Sequence, residues 1–361
     1  LGNDFGLGEF PAFDRTALFR FYVQSPTGLS FNFADGRPGL GADSGLTWLA
    51  QRYQLPGVTA HSRKLLAAEL EKGANPGDRF LATHAIWFPA EVSADVEPPP
   101  LDAHFRGPSE IALFRSAWND PRALWLGFKA GSNRVNHGHL DLGSFVLDAD
   151  GVRWACDLGP DDYDLPLYWE SATVTSGRWR YYRLNNLSHN TVTPGEVLQS
   201  PDAKAAIVRY ESTPERAFAI ADLSESYPEM VTSHRRGIAM LDRARVLVQD
   251  EIGGVRAQTP LTWRMLTGTD VNVSGRMATL THDGRMLRAE IISPANVFWT
   301  SHPAKPPTAA ENQNDGITAL EAVVPAVQTA ADVSIAVLLT PVGERWPSRP
   351  VPQLRPLDEW K

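Results

Sequence analysis

The chain has 361 residues, 43% hydrophobic and 21% charged, so it can bury a core and is not globally disordered. Lys and Arg number 34 against 42 Asp and Glu; the formal charge of −8 disfavours nucleic acid or an anionic membrane as a global partner, while leaving room for a local basic groove. One cysteine, Cys156, excludes an internal disulfide framework and a Cys-rich zinc module, and no apolar run approaches ~18 residues, so no membrane-spanning helix is expected.

The N-terminal part reads as helical. Asp14 is placed to cap a helix over Thr16–Val23, stopped by Ser25-Pro26-Thr27-Gly28. Ser44 is placed to cap a second over Leu46–Tyr53, stopped by Pro56-Gly57. A third, His61–Lys72, carries Leu65, Leu66, Ala67 and Leu70 at helical spacing and ends at Gly73. Three short helices are too few to close a helical domain. Val92–Pro108, with Pro98-Pro99-Pro100, reads as a linker.

Beyond it the period changes to two. Strands are predicted at Glu110–Trp118, Arg122–Lys129, Ser144–Leu147, Val152–Asp157, Asn190–Thr193, Lys204–Tyr210, Ala217–Ala221, Thr232–Leu241, Arg245–Glu251, Leu261–Leu266, Met286–Ile292 and Val333–Leu339. Turn signals such as Asp148-Ala149-Asp150-Gly151 and Asp283-Gly284 separate them, which argues for a large antiparallel sandwich. The tail from Glu344, rich in proline, reads as an extended strap.

Three polar residues stand at predicted strand ends: His139, Asp157 and His189. Two imidazoles and a carboxylate suit a zinc ion with water completing a tetrahedron, although ordinary strand-end polar residues would look the same. The hairpin turn pairs Asp157 nearer Gly143 than His139, so the chain has to bend at Gly138 for the three to meet. A cupin is disfavoured, because Leu142-Gly143-Ser144-Phe145 stands where its glutamate belongs. Neither a Gly-x-Ser-x-Gly elbow nor a phosphate-binding glycine loop is present.

Asn136-His137-Gly138-His139-Leu140-Asp141-Leu142-Gly143-Ser144-Phe145, then Trp154-Ala155-Cys156-Asp157-Leu158-Gly159, then Ser188-His189-Asn190-Thr191, resembles the heparinase II/III-like polysaccharide lyases. Phe114-Arg115-Ser116-Ala117-Trp118 and the Asp14–Asp35 region, with Pro26-Thr27-Gly28-Leu29-Ser30-Phe31-Asn32-Phe33, resemble the same family. The resemblance runs through residues 1–193 and is specific for the superfamily rather than for a substrate.

It implies an α+β fold: the end of an N-terminal (α/α) toroid followed by a large antiparallel β-sandwich. The expected boundaries are 1–95 for the toroid part, 96–108 for the linker, 109–343 for the sandwich and 344–361 for the strap. The resemblance also implies one structural zinc ion on His139, Asp157 and His189, and His137 as the active-site histidine, acting as base or as neutraliser of a substrate carboxylate. Asn136, Tyr181 and Tyr182, with the flanking Arg180 and Arg183, are the expected substrate contacts; rim packing and a solvated face are the bland alternatives for the tyrosines and arginines. The implied reaction is β-elimination on a uronic-acid glycan of the alginate or glycosaminoglycan type.

The expected partners are that acidic polysaccharide, an N-terminal toroid segment of the same protein and, for the assembly, a homodimer. The expected location is periplasmic or secreted. The family's catalytic tyrosine has no counterpart in residues 1–31, where Tyr22 sits in an apolar helix. The chain is therefore expected to be the C-terminal portion of a longer enzyme. A non-catalytic carbohydrate-binding or assembly module is the alternative, and a metal hydrolase is a third reading.

Overall fold

The computed structural model describes residues 4–73, 79–89 and 99–360. The chain divides into two compact units, Leu1–Ser30 with Gly39–Pro100, and Phe31–Pro38 with Leu101–Lys361. The short excursion Phe31–Pro38 thus leaves the helical part of the sequence and belongs to the β-rich unit.

The first unit holds four α-helices among its described residues: Arg15–Tyr22, Ser44–Arg52, Pro56–Glu71 and Leu81–Trp87. Asp14 stands at the first N-cap but makes no side-chain cap. The second helix is capped by Asp43, one residue before the expected Ser44, through its carboxylate and the amides of Gly45 and Leu46. The third starts earlier than the apolar spacing indicates, because Pro56 occupies the first turn, where its missing N–H costs nothing. Residues 90–98, which include the start of the expected linker, lie outside the described residues, whereas Ala103–Phe105, inside that linker, forms a strand paired with Ile111–Arg115.

The second unit contains three antiparallel sheets. Five strands run in the order Ala103–Phe105, Ile111–Arg115, Trp125–Lys129, Phe145–Ala149 and Val152–Ala155. A nine-stranded sheet is built around Ser233–Leu241, Arg245–Val255 and Ala331–Val342, and a four-stranded sheet around Leu261–Thr267. One apolar cluster joins all three, with Phe114, Phe145, Trp154, Ile238, Trp263 and Val337 fully buried. Burial of such large side chains, worth roughly 1.5–3 kcal/mol each, holds the sheets together.

Each of the predicted strands overlaps an observed one. The pairs Asp270–Ser274 with Met277–His282 and Trp299–Pro303 with Thr318–Val324 are additional to the predicted strands. The tail runs extended over the nine-stranded sheet: Arg245 and Gln249 donate to the carbonyls of Pro350 and Arg355, and Leu357 and Trp360 bury themselves beside Phe218.

Candidate active site

The segment between Ser132 and Phe145 has no regular structure, and its geometry is set by a few close contacts. His137 has φ 58°, the left-handed region, which a non-glycine residue occupies only when its surroundings hold it there. Arg178, itself buried, fixes the next residue by donating to the carbonyl of Gly138 at 3.0 Å. A Cβ on Gly138 would lie 2.7 Å from the Asn133 carbonyl oxygen, so the bend needs glycine there.

At the bend, four donors converge on one carboxylate that sequence reasoning missed as a site residue. Asp35 Oδ2 lies 2.7 Å from His137 Nδ1 and accepts from the Tyr163 hydroxyl at 3.1 Å. Its Oδ1 lies 2.9 Å from His139 Nε2 and accepts from the Tyr168 hydroxyl at 2.8 Å. Burial pushes the Asp35 carboxyl up, but His139, His137 and Tyr168 outweigh it and hold the group well below the ordinary carboxylate range. An ionised carboxylate only accepts, so each histidine nitrogen facing it carries the proton. His137 meets the carboxylate through Nδ1, on a side chain 44% exposed. Burial and the Asp35 charge push the Tyr163 and Tyr168 phenols up, so both remain protonated donors at neutral pH.

The segment bearing Asp35 is sewn to the β-rich unit. Asn32 donates to the Asp157 carbonyl at 3.0 Å, and the Ala34 amide donates to Asp141 Oδ2 at 3.2 Å. Asp141 is in turn paired with Lys129 at 2.6 Å in full burial. Gly159 has φ 64°, and a Cβ there would stand 2.4 Å from the Gly36 carbonyl oxygen. Gly159→Ala is therefore expected to lower stability by more than about 1 kcal/mol, read by urea denaturation; an unchanged midpoint would show that the 31–38 segment is not held this way.

The predicted metal ligands come close to one another. The His139 and His189 rings lie 5.4 Å apart between centroids, both fully buried. Asp157 Oδ2 lies 2.8 Å from His189 Nδ1, and its Oδ1 accepts from the Gly159 amide at 3.0 Å. The chain reverses at Asn136–His137, just before the Gly138 bend expected from the sequence, with the Gly138 amide donating to the Val135 carbonyl at 3.0 Å. Each ring thus has one nitrogen on a carboxylate and one buried nitrogen, His139 Nδ1 and His189 Nε2, with no hydrogen-bond partner. Burial lowers the His189 pKa, but Asp157 outweighs it and makes the ring more basic than usual, whereas burial wins at His139. Two unpartnered imidazole nitrogens backed by carboxylates fit a borderline-soft cation. Among the described residues no group of three or more His, Cys, Asp or Glu side chains is arranged as a metal cage, because Asp157 is turned to His189.

The Ser188-His189-Asn190-Thr191 stretch has a second job. Asn190 donates to the carbonyls of Phe145 and Cys156 and accepts from the Leu266 amide, tying two strands to the segment that follows Val152–Ala155, and Thr191 donates to the Leu142 carbonyl at 3.1 Å. Arg236, fully buried, donates at 2.8 Å to the carbonyls of both Gly143 and Asn190 while paired with Asp250.

A family model, Heparinase II/III-like, C-terminal, matches residues 109–341. The chain belongs to the heparinase II/III-like C-terminal family.

Solved structures share this fold. The heparan sulfate lyase HepC from Pedobacter heparinus is 16% identical with a TM-score of 0.63, over 96% of this chain and 49% of that one. The heparinase III BT4657 gene product gives 14% and 0.63, over 93% and 48%. Another heparinase III gives 11% and 0.61, over 93% and 50%. The chain spans about half the length of these structures. Among curated proteins no relative matches.

Within this heparinase II/III-like domain the other predicted site residues lie in different surroundings. Asn136 is exposed beside His137. Tyr181 is buried, its hydroxyl donating to the Pro166 carbonyl. The Tyr182 ring packs with Leu266, Ala304 and Ala319, and burial pushes its phenol up to about 12. Arg183 is engaged by Asn314 and by the carbonyls of Leu158 and Pro160. Arg180 is exposed and donates to the Gly177 carbonyl. The aromatic side chains next to His137 are instead Tyr163 and Trp169. The dense Tyr/Trp content of residues 163–169 was the available signal for them.

Proposed function

We propose that this domain is the C-terminal part of a polysaccharide lyase that cleaves a uronic-acid glycan by β-elimination. The observation that carries the reading is the exposed His137 imidazole, oriented by Asp35 through Nδ1 so that Nε2 is the ring nitrogen left to meet a substrate. In β-elimination a base removes the C5 proton of the uronate. The electron pair forms the C4–C5 double bond, and the C4–O bond to the leaving sugar breaks as an acid protonates that oxygen. His137 Nε2 is suited to take the proton, and Asp35 to stabilise the imidazolium that results. Among this chain's tyrosines, Tyr163 is the half-exposed phenol at that carboxylate. The family's toroid tyrosine, on a preceding helical segment, is the proposed principal acid, and the short length relative to the similar structures supports a companion segment. A polymeric substrate supports a working location in the periplasm or outside the cell.

One zinc ion is proposed on His139 and His189, with Asp157 holding the His189 ring or joining as third ligand. When bound, it would supply a structural clamp on the loop that carries His137. Elemental analysis of protein purified without added metal is expected to show one zinc per chain, reduced in His189→Ala; its absence would remove the ion from the reading.

Ultraviolet absorbance tests the reaction. Full-length protein offered heparan sulfate, alginate or hyaluronan is expected to raise absorbance from the unsaturated product with one of them, and the 361-residue chain alone is expected not to. Product release without that absorbance would point to hydrolysis, and binding without turnover to a non-catalytic module.

A further inference from the structure

We infer that Trp169, braced by Tyr163, is the stacking platform for the pyranose ring presented to His137. The inference rests on the uronate-glycan reading above and names the residue that holds the sugar. Trp169 is 53% exposed and Tyr163 38% exposed, on an irregular loop where no sheet partner covers them. An indole left in water on a loop is a hydration cost that folding alone does not explain.

The indole is nevertheless rigidly placed. Its Nε1 donates to the Tyr163 carbonyl at 3.2 Å. Tyr163 stands edge-on to it at 4.6 Å between ring centroids, and Tyr168 packs at 5.2 Å. Tyr168 is fully buried and bonded to Asp35, so the indole is anchored to the same carboxylate that orients His137. A surface that is already ordered loses little entropy on binding.

The imidazole of His137 lies 5.1 Å from the indole, with the ring planes 85° apart. This is a flat apolar surface with a polar group standing at right angles beside it. A pyranose has the matching anatomy, with an apolar C–H face and a rim of hydroxyl and carboxylate groups. Stacked on the open part of the indole, it brings its rim to His137. A purely apolar ligand would instead leave the His137 side of the site without a polar partner.

The test uses full-length protein carrying His137→Ala, so that glycan is not consumed, titrated calorimetrically with heparan sulfate and with alginate oligosaccharides. Adding Trp169→Ala is expected to weaken the oligosaccharide that binds by about tenfold or more, while Trp169→Phe, which keeps an aromatic face, stays within about threefold. Val174→Ala, on the same loop and 68% exposed, is expected to change nothing. Binding by Trp169→Ala as tight as in its parent, or an equal loss in Val174→Ala, overturns the platform while leaving the lyase reading intact. If the parent binds neither oligosaccharide and the wild type cleaves neither glycan, the uronate reading fails and the platform falls with it.

Discussion

His137→Ala in the full-length protein is expected to lower lyase turnover by about 10²–10⁴-fold, the usual contribution of a positioned general base. The side chain is half-exposed and its one hydrogen bond is to Asp35, so its loss leaves the packed core untouched. Thermal unfolding of the variant should therefore stay close to wild type, separating a chemical role from a structural one. His139→Ala makes the contrast, since that ring is fully buried and its removal leaves a cavity beside Asp35 and His189. Full activity in His137→Ala would remove it from the mechanism, and the base would have to come from elsewhere.

Arg236→Met is expected to cost about 3–5 kcal/mol of stability, the range for breaking a buried ion pair from one side. The guanidinium pairs with Asp250 in full burial and also satisfies the carbonyls of Gly143 and Asn190, which flank the two buried histidines. Methionine fills the space but leaves the Asp250 carboxylate with His234 alone and the two carbonyls unpaired. Arg236→Lys keeps the charge, yet a single ammonium cannot reproduce the planar fork that reaches all three acceptors, so an intermediate loss is expected. Burial alone pushes the Asp250 carboxyl up, and Arg236 and His234 together hold it below its ordinary value. A lowered native pKa stabilises above the unfolded pKa of about 3.9, and that stabilisation fades as the pH falls through the native value. The gap between wild type and Arg236→Met should therefore be wide at neutral pH and narrow in acid. A urea-denaturation series across pH checks both points; a gap independent of pH would mean that packing, not charge, sets the cost.

The sequence by itself determined the strand-rich core. Alternation of apolar residues is a local property, so Val152–Ala155, Ser233–Leu241 and Arg245–Val255 were legible within a residue or a few. His139, Asp157 and His189 were read together as polar residues near strand ends, and the structure brings the His139 and His189 rings to 5.4 Å and sets Asp157 on His189. The edge pair Asp270–Ser274 and Met277–His282 alternates too, but its first strand is only five residues long and carries just two apolar side chains, Val271 and Val273. Only the tertiary structure decided which side chains surround His137. Asp35 lies 102 residues earlier in the chain than His137, in a loop with no period of its own, and its four donors come from two separate segments. The direction of a side chain on an irregular loop is set by long-range contacts rather than by spacing. That is why Tyr181 and Tyr182 turn inward, while Tyr163 and Trp169 come to lie beside the histidine.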